Sequence, residues 1–106
     1  GMVAVCEALA YAKKAGLDPE AVLKCIGPGA AGSWSLNNLG PRMIAGNFEP
    51  GFYIRHFIKD MNIAAASSSH LGLKTPGLDL ALSLYKKMEE KGLENKGTQA
   101  LFKLYI

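Results

Sequence analysis

The sequence predicts an all-α fold, and three observations carry that prediction. Apolar residues recur at three- and four-residue steps through most of the chain, no segment alternates with period two, and β-branched residues are few. Helix punctuation is dense, with Pro or Gly at most of the predicted boundaries. The 106 residues suffice for one compact helical domain, residues 2–106, of about five to seven helices.

Residues 2–15 open directly in a helical pattern that is rich in Ala and carries Val3, Cys6, Leu9 and Ala12. Lys13 and Lys14 complement its last turn, and Gly16 stops it. No capping residue precedes this helix, which reads as if it began further upstream. Asp18-Pro19-Glu20 starts the second helix, with an N-cap acceptor, proline at the first position and an acid in the first turn. It runs to about Ile26 and is expected to bury Leu17, Val22, Leu23 and Ile26, before Gly27-Pro28-Gly29 breaks it.

Ser33 is placed to cap a short helix through Leu39. Gly40-Pro41 is expected to interrupt it, with one more turn before Gly46. The loop Asn47-Phe48-Glu49-Pro50-Gly51-Phe52 leads into the central helix. There Ile54, Phe57, Ile58, Met61, Ala64, Ala65 and Leu71 form one apolar stripe, and a Lys59-Asp60 pair sits in the middle. Gly72 ends that helix, and Thr75-Pro76 starts another whose core face holds Leu78, Leu80, Leu82, Tyr85 and Met88. Gly92 ends it in turn, and Thr98 can cap a short terminal helix through Tyr105.

Composition narrows the function. Hydrophobic residues make up 49% of the chain and charged residues 20%, which excludes a disordered segment. The net charge of +3 is mild and its lysines are scattered, so neither a nucleic-acid nor a membrane footprint is expected. Cys6 and Cys25 lie in helical patterns without a partner at metal-ligand spacing, so both are expected to be buried free thiols in a cytoplasmic, reducing setting. No run has the length of a membrane-spanning helix.

Few residues point to chemistry by themselves. Gly27, Gly29 and Gly32 are spaced suggestively, but no strand precedes them and Pro28 intrudes, so a structural turn is the simpler reading. His56 and Asp60, four apart, are expected to pair along the helix rather than to act as an acid–base dyad. Trp34 reads as a core or interface anchor. On physics alone Lys59 is a solvated or snorkelling lysine.

Five fragments in order change that weighting. They are Glu7-Ala8-Leu9-Ala10-Tyr11-Ala12-Lys13-Lys14-Ala15-Gly16-Leu17-Asp18, Ser33-Trp34-Ser35-Leu36, Gly40-Pro41-Arg42-Met43, Phe48-Glu49-Pro50-Gly51-Phe52 and Lys59-Asp60-Met61-Asn62-Ile63-Ala64. Together they cover nearly the whole chain. They resemble the C-terminal helical domain of the β-hydroxyacid dehydrogenases, the family of 3-hydroxyisobutyrate, tartronate semialdehyde and glyoxylate/succinic semialdehyde reductases. The fold implied is like that of the 6-phosphogluconate dehydrogenase C-terminal domain.

The resemblance implies a division of labour. A Rossmann domain, absent from this chain, binds NAD or NADP, and a catalytic lysine in a Lys-x-x-x-Asn motif would fall upstream of residue 1. Lys59 then matches a cofactor-side lysine, Asp60 its supporting carboxylate, and Phe52, Ser33 and Trp34 line the cleft. The implied partners are the missing Rossmann domain, a second copy of the chain in a homodimer or higher oligomer, and a small hydroxy acid. This chain by itself is expected to bind no cofactor and to be inactive. The competing reading is a free-standing helical interaction module that keeps the fold without the chemistry.

Overall fold

The computed structural model describes residues 1–106, and it is all-helical. Five α-helices and one 3-10 helix follow one another: α1 (Met2–Lys14), α2 (Pro19–Ile26), α3 (Trp34–Ile44), α4 (Ile54–His70), α5 (Pro76–Glu90) and the 3-10 segment Thr98–Leu104. A lone antiparallel bridge between Tyr53 and Gly97 is the nearest approach to a strand. The residues group into two compact units, one of residues 1–49 with 99–106 and one of residues 50–98.

In the first unit α1, α2 and α3 pack against one another. Its buried apolar residues are Val5, Cys6, Leu9 and Ala12 from α1, Leu36, Leu39 and Met43 from α3, and Ala100, Leu101 and Phe102 from the terminal segment. Asp18 accepts a hydrogen bond from the Glu20 amide at 3.1 Å, the cap read from the sequence. Helix α2 buries no residue fully, and Leu17 is exposed, against the expectation for both. Eight residues are too few to turn a whole stripe inward, and Val22, Leu23 and Ile26 reach only half-burial.

The sequence also placed an interruption at Gly40-Pro41, and α3 runs through it without a break. Proline normally pushes the preceding residue out of the helical region because its ring crowds that residue's Cβ. Gly40 has no Cβ, and a Cβ there would lie 3.0 Å from a methyl of Leu23. One glycine thus relieves the proline clash and lets α2 approach α3.

In the second unit α4 and α5 pack on each other, joined by a five-residue turn. Ile54, Ile58 and Met61 of α4 and Leu82, Tyr85 and Met88 of α5 are buried, and the Phe57 and Tyr85 rings meet edge-on at 5.0 Å. The apolar stripe of α4 is shorter than the sequence implies. Ala64 and Leu71 are exposed, as is Leu80 on α5, so core packing stops about halfway along the helix. The turn closes at Gly72, whose φ of 70° an L side chain would resist, with the Gly72 amide donating to Ser69 O at 3.0 Å and the Leu73 amide to Ser68 O at 2.9 Å. The terminal helix is present as a 3-10 segment.

The Tyr85 phenol donates to Thr98 O across 2.8 Å inside this unit, with Tyr85 fully buried. Tyr85→Phe leaves that carbonyl without its donor, and urea unfolding is expected to show a loss of about 1–3 kcal/mol. A loss indistinguishable from zero would mean that the bond is not formed in solution.

The two cysteines do not share one environment. Cys6 is buried, and desolvation, followed by the nearby Glu7 carboxylate, raises its thiol from 9.0 to about 12. Cys25 is exposed, contrary to expectation, because α2 turns it to the open side of the short helix. Iodoacetamide at pH 8 is therefore expected to label one thiol per folded chain, at Cys25, and both only in denaturant. The Cys6 shift also sets a sign for stability. Between pH 9 and 12 the native thiol keeps a proton that the unfolded chain has lost, so this contribution is complete below pH 9 and falls as pH rises.

Candidate functional site

Helix α4 starts without a side-chain cap and without an acid in its first turn. Its first amides would be orphans, and backbone carbonyls of the 94–96 segment satisfy them instead. The Ile54 amide donates to Lys96 O at 2.9 Å and the Arg55 amide to Glu94 O at 3.0 Å. The Thr98 amide returns a bond to Phe52 O at 3.0 Å. Arg55 adds a side-chain tie, its guanidinium donating to Asn95 Oδ1 at 2.9 Å while stacking 4.7 Å from the Tyr53 ring centroid.

With the entry to α4 fixed, its faces are fixed too. Ile54, Ile58 and Met61 turn inward, so the residues half a turn away, His56, Lys59, Asp60 and Ile63, turn outward. Phe52, four residues before His56, continues the outward stripe; it is 44% exposed, and its ring lies 6.3 Å from the imidazole. Lys59 and Asp60 are 68% and 54% exposed at the side chain, with Nζ and Oδ1 3.8 Å apart. A pair that open and that long is loose, and leaves the lysine free to meet another anion.

The expected His56–Asp60 pair is not formed. His56 instead accepts a hydrogen bond from Arg55 Nε at 3.3 Å through Nε2 and leans on the Tyr53 ring at 5.5 Å. The neighbouring donor captures the ring before the carboxylate one turn on can reach it.

Ser33 and Trp34 belong to the first unit. Ser33 Oγ accepts from the Leu36 amide at 3.0 Å and so caps α3, keeping its own O–H and a second lone pair for any other contact. Trp34 is 70% exposed, which removes the reading of it as a core anchor and leaves its indole open. The Gly27–Gly32 turn offers no phosphate cradle. The amides of Gly27, Gly29 and Gly32 are spent on Leu23 O, Ile26 O and Gly29 O, and a Cβ on Gly32 would collide with the Gly27 carbonyl.

Two features escaped the sequence reading. The Arg55–Asn95 tie joins residues 40 apart and has no local signature. Ile63, 62% exposed, did have one: it lies four residues after Lys59, off the core stripe.

The family described as NAD-binding of NADP-dependent 3-hydroxyisobutyrate dehydrogenase matches residues 1–105. The uncharacterized oxidoreductase YkwC of Bacillus subtilis is 60% identical over 106 residues, all of this chain and 37% of that protein. The 2-hydroxy-3-oxopropionate reductase of Escherichia coli is 39% identical over 89 residues, covering 84% of this chain and 30% of that protein. The chain thus spans about a third of the length of these relatives. The crystal structure of a 3-hydroxyisobutyrate dehydrogenase from Salmonella typhimurium superposes with a TM-score of 0.91 at 23% identity, over 97% of this chain and 36% of that one, and so shares the fold. The family match over residues 1–105, on an all-helical fold, establishes that this chain belongs to the NAD-binding family of the 3-hydroxyisobutyrate dehydrogenases.

Proposed function

We propose that this chain is the helical, cleft-closing part of an NAD(P)-dependent hydroxyacid dehydrogenase. In this reading the dinucleotide-binding domain and the catalytic lysine stand N-terminal to residue 1 in the longer protein. The observation that carries the proposal is the outward stripe of α4, where a loosely paired cation, Lys59, stands between two exposed apolar side chains, Phe52 and Ile63. Apolar side chains flanking a loosely paired cation suit a face that closes over a ligand.

The residues fit one cofactor contact rather than a whole cofactor site. Lys59 supplies positive charge for the cofactor side of the cleft, and the Gly27–Gly32 turn offers no amide cradle for a pyrophosphate. Bound NAD(P)+ supplies the hydride acceptor for oxidation of the hydroxy acid. Lys59 holds charge in place, Asp60 limits where its ammonium can swing, and Phe52 excludes water beside it. Within the first unit, Ser33 and the exposed Trp34 ring are the residues that the family resemblance assigns to ligand contact.

The reading includes self-association and a cytoplasmic setting. Leu71, Leu73 and Leu80 are exposed apolar side chains of the second unit, a surface suited to a second copy. No helix is long and apolar enough to cross a membrane, and the two thiols are free.

In the longer dehydrogenase, Lys59→Ala is expected to raise KM for NAD(P)+ by about tenfold or more, with the melting temperature little changed because the side chain is exposed. The 106-residue chain by itself is expected to show no hydroxy-acid oxidation. Turnover by this chain alone, or an unchanged cofactor KM in the variant, would overturn the assignment. Sedimentation of the longer protein is expected to give a dimer or larger species, and a strict monomer at high concentration would remove the self-association.

A further inference from the structure

Tyr85 lies fully buried in the second unit, and both its hydroxyl and its ring lead to Phe52, the aromatic side chain of the outward stripe. The phenol donates to Thr98 O at 2.8 Å, and the amide of the same Thr98 donates to Phe52 O at 3.0 Å. The Tyr85 ring meets the Phe57 ring edge-on, with centroids 5.0 Å apart. The Phe57 ring in turn meets that of Phe52 at 6.0 Å, with the planes tilted by 59°. The circuit therefore closes on Phe52, holding its carbonyl through hydrogen bonds and its ring through aromatic contacts.

Of the four residues in this circuit only Phe52 is exposed; Tyr85 and Thr98 are buried, and Phe57 is half-buried. An exposed phenylalanine just before a helix ordinarily samples several rotamers, and ordering it when a ligand binds costs conformational entropy. Here its backbone and its ring are both held in advance. Tyr85 supplies both holds from a position with no exposed surface.

We propose that Tyr85 is a positioning residue for Phe52, fixing that ring on the face that carries Lys59 before the cofactor arrives. This rests on the dehydrogenase reading above and adds to it a residue that acts from the core without touching a ligand. A fixed ring keeps water away from this face, so the Lys59 ammonium attracts an anionic cofactor more strongly than it does in open solvent.

The test uses the longer dehydrogenase with Tyr85→Phe, Phe52→Ala and the two together. Tyr85→Phe keeps the ring contacts and removes only the hydroxyl link, and is expected to raise KM for NAD(P)+ about threefold with kcat within about twofold. Phe52→Ala is expected to raise that KM at least as much. The double variant is expected to go no further than Phe52→Ala, because one change acts through the other. Leu82→Ala, a buried truncation on α5 outside the circuit, is expected to lower the melting temperature at least as far and to leave the KM in place. A readout that needs no turnover is the nuclear Overhauser contact between the Phe52 and Phe57 rings, expected to weaken in Tyr85→Phe and to persist in Leu82→Ala. Additive losses in the double variant, a KM that rises equally in Leu82→Ala, or undiminished ring contacts in Tyr85→Phe would each overturn the proposal and leave the dehydrogenase reading intact. No turnover by the wild type with any hydroxy acid would instead overturn that reading, and with it the role of Phe52 that Tyr85 serves.

Discussion

Helix α4 begins with amides that no side chain caps, and the candidate site depends on how that end is closed. Two carbonyls of the 94–96 segment accept from Ile54 and Arg55, and Thr98 bonds back to Phe52. Leaving such donors buried and unpaired would cost on the order of 1–3 kcal/mol each. More than stability is at stake, because the entry point of a helix fixes the rotation of every later side chain. Once Ile54 is held inward, Ile58 and Met61 follow it into the core, and His56, Lys59 and Ile63 must face out. The geometry of the outward stripe is thus set by hydrogen bonds from a segment 40 residues later in the chain.

The same bonds change what the end of α4 can do. A free helix N-terminus attracts anions, but here its leading amides are already in use and its first turn carries Arg55 and His56. Positive charge on this face comes from side chains, which can move and choose partners. That is better suited to a ligand that enters and leaves than to one held permanently.

How much of this was legible in the sequence depended on the range of the cause. Local signals held: Asp18 and Ser33 cap the helices they precede, Pro19 and Pro76 start helices, and Gly72 ends one. Failures arose where a neighbour in space decided the outcome. Pro41 reads as a breaker until Gly40 and Leu23 are seen together, and Cys25 reads as buried until α2 proves too short to bury anything fully. For the site, the physics of the residues alone left Lys59 a solvated lysine, and only the family resemblance singled out Lys59, Asp60, Phe52, Ser33 and Trp34; the first three lie on one exposed stripe of the second unit. The sequence pairing of His56 with Asp60 failed because Arg55, its immediate neighbour, is the nearer partner.

The turn at Gly72 has a kinetic side. It joins α4 to α5 through five residues, so the contacts that pair these helices are local and close quickly. The bonds that shut the other end of α4 must wait for a loop of about 40 residues to come round, at an entropic cost that grows with loop length. One helix therefore has an end that forms early and an end that forms late. The late end carries the aromatic, imidazole and ammonium groups of the outward stripe, so the order of that face depends on the contact that closes over the longer loop.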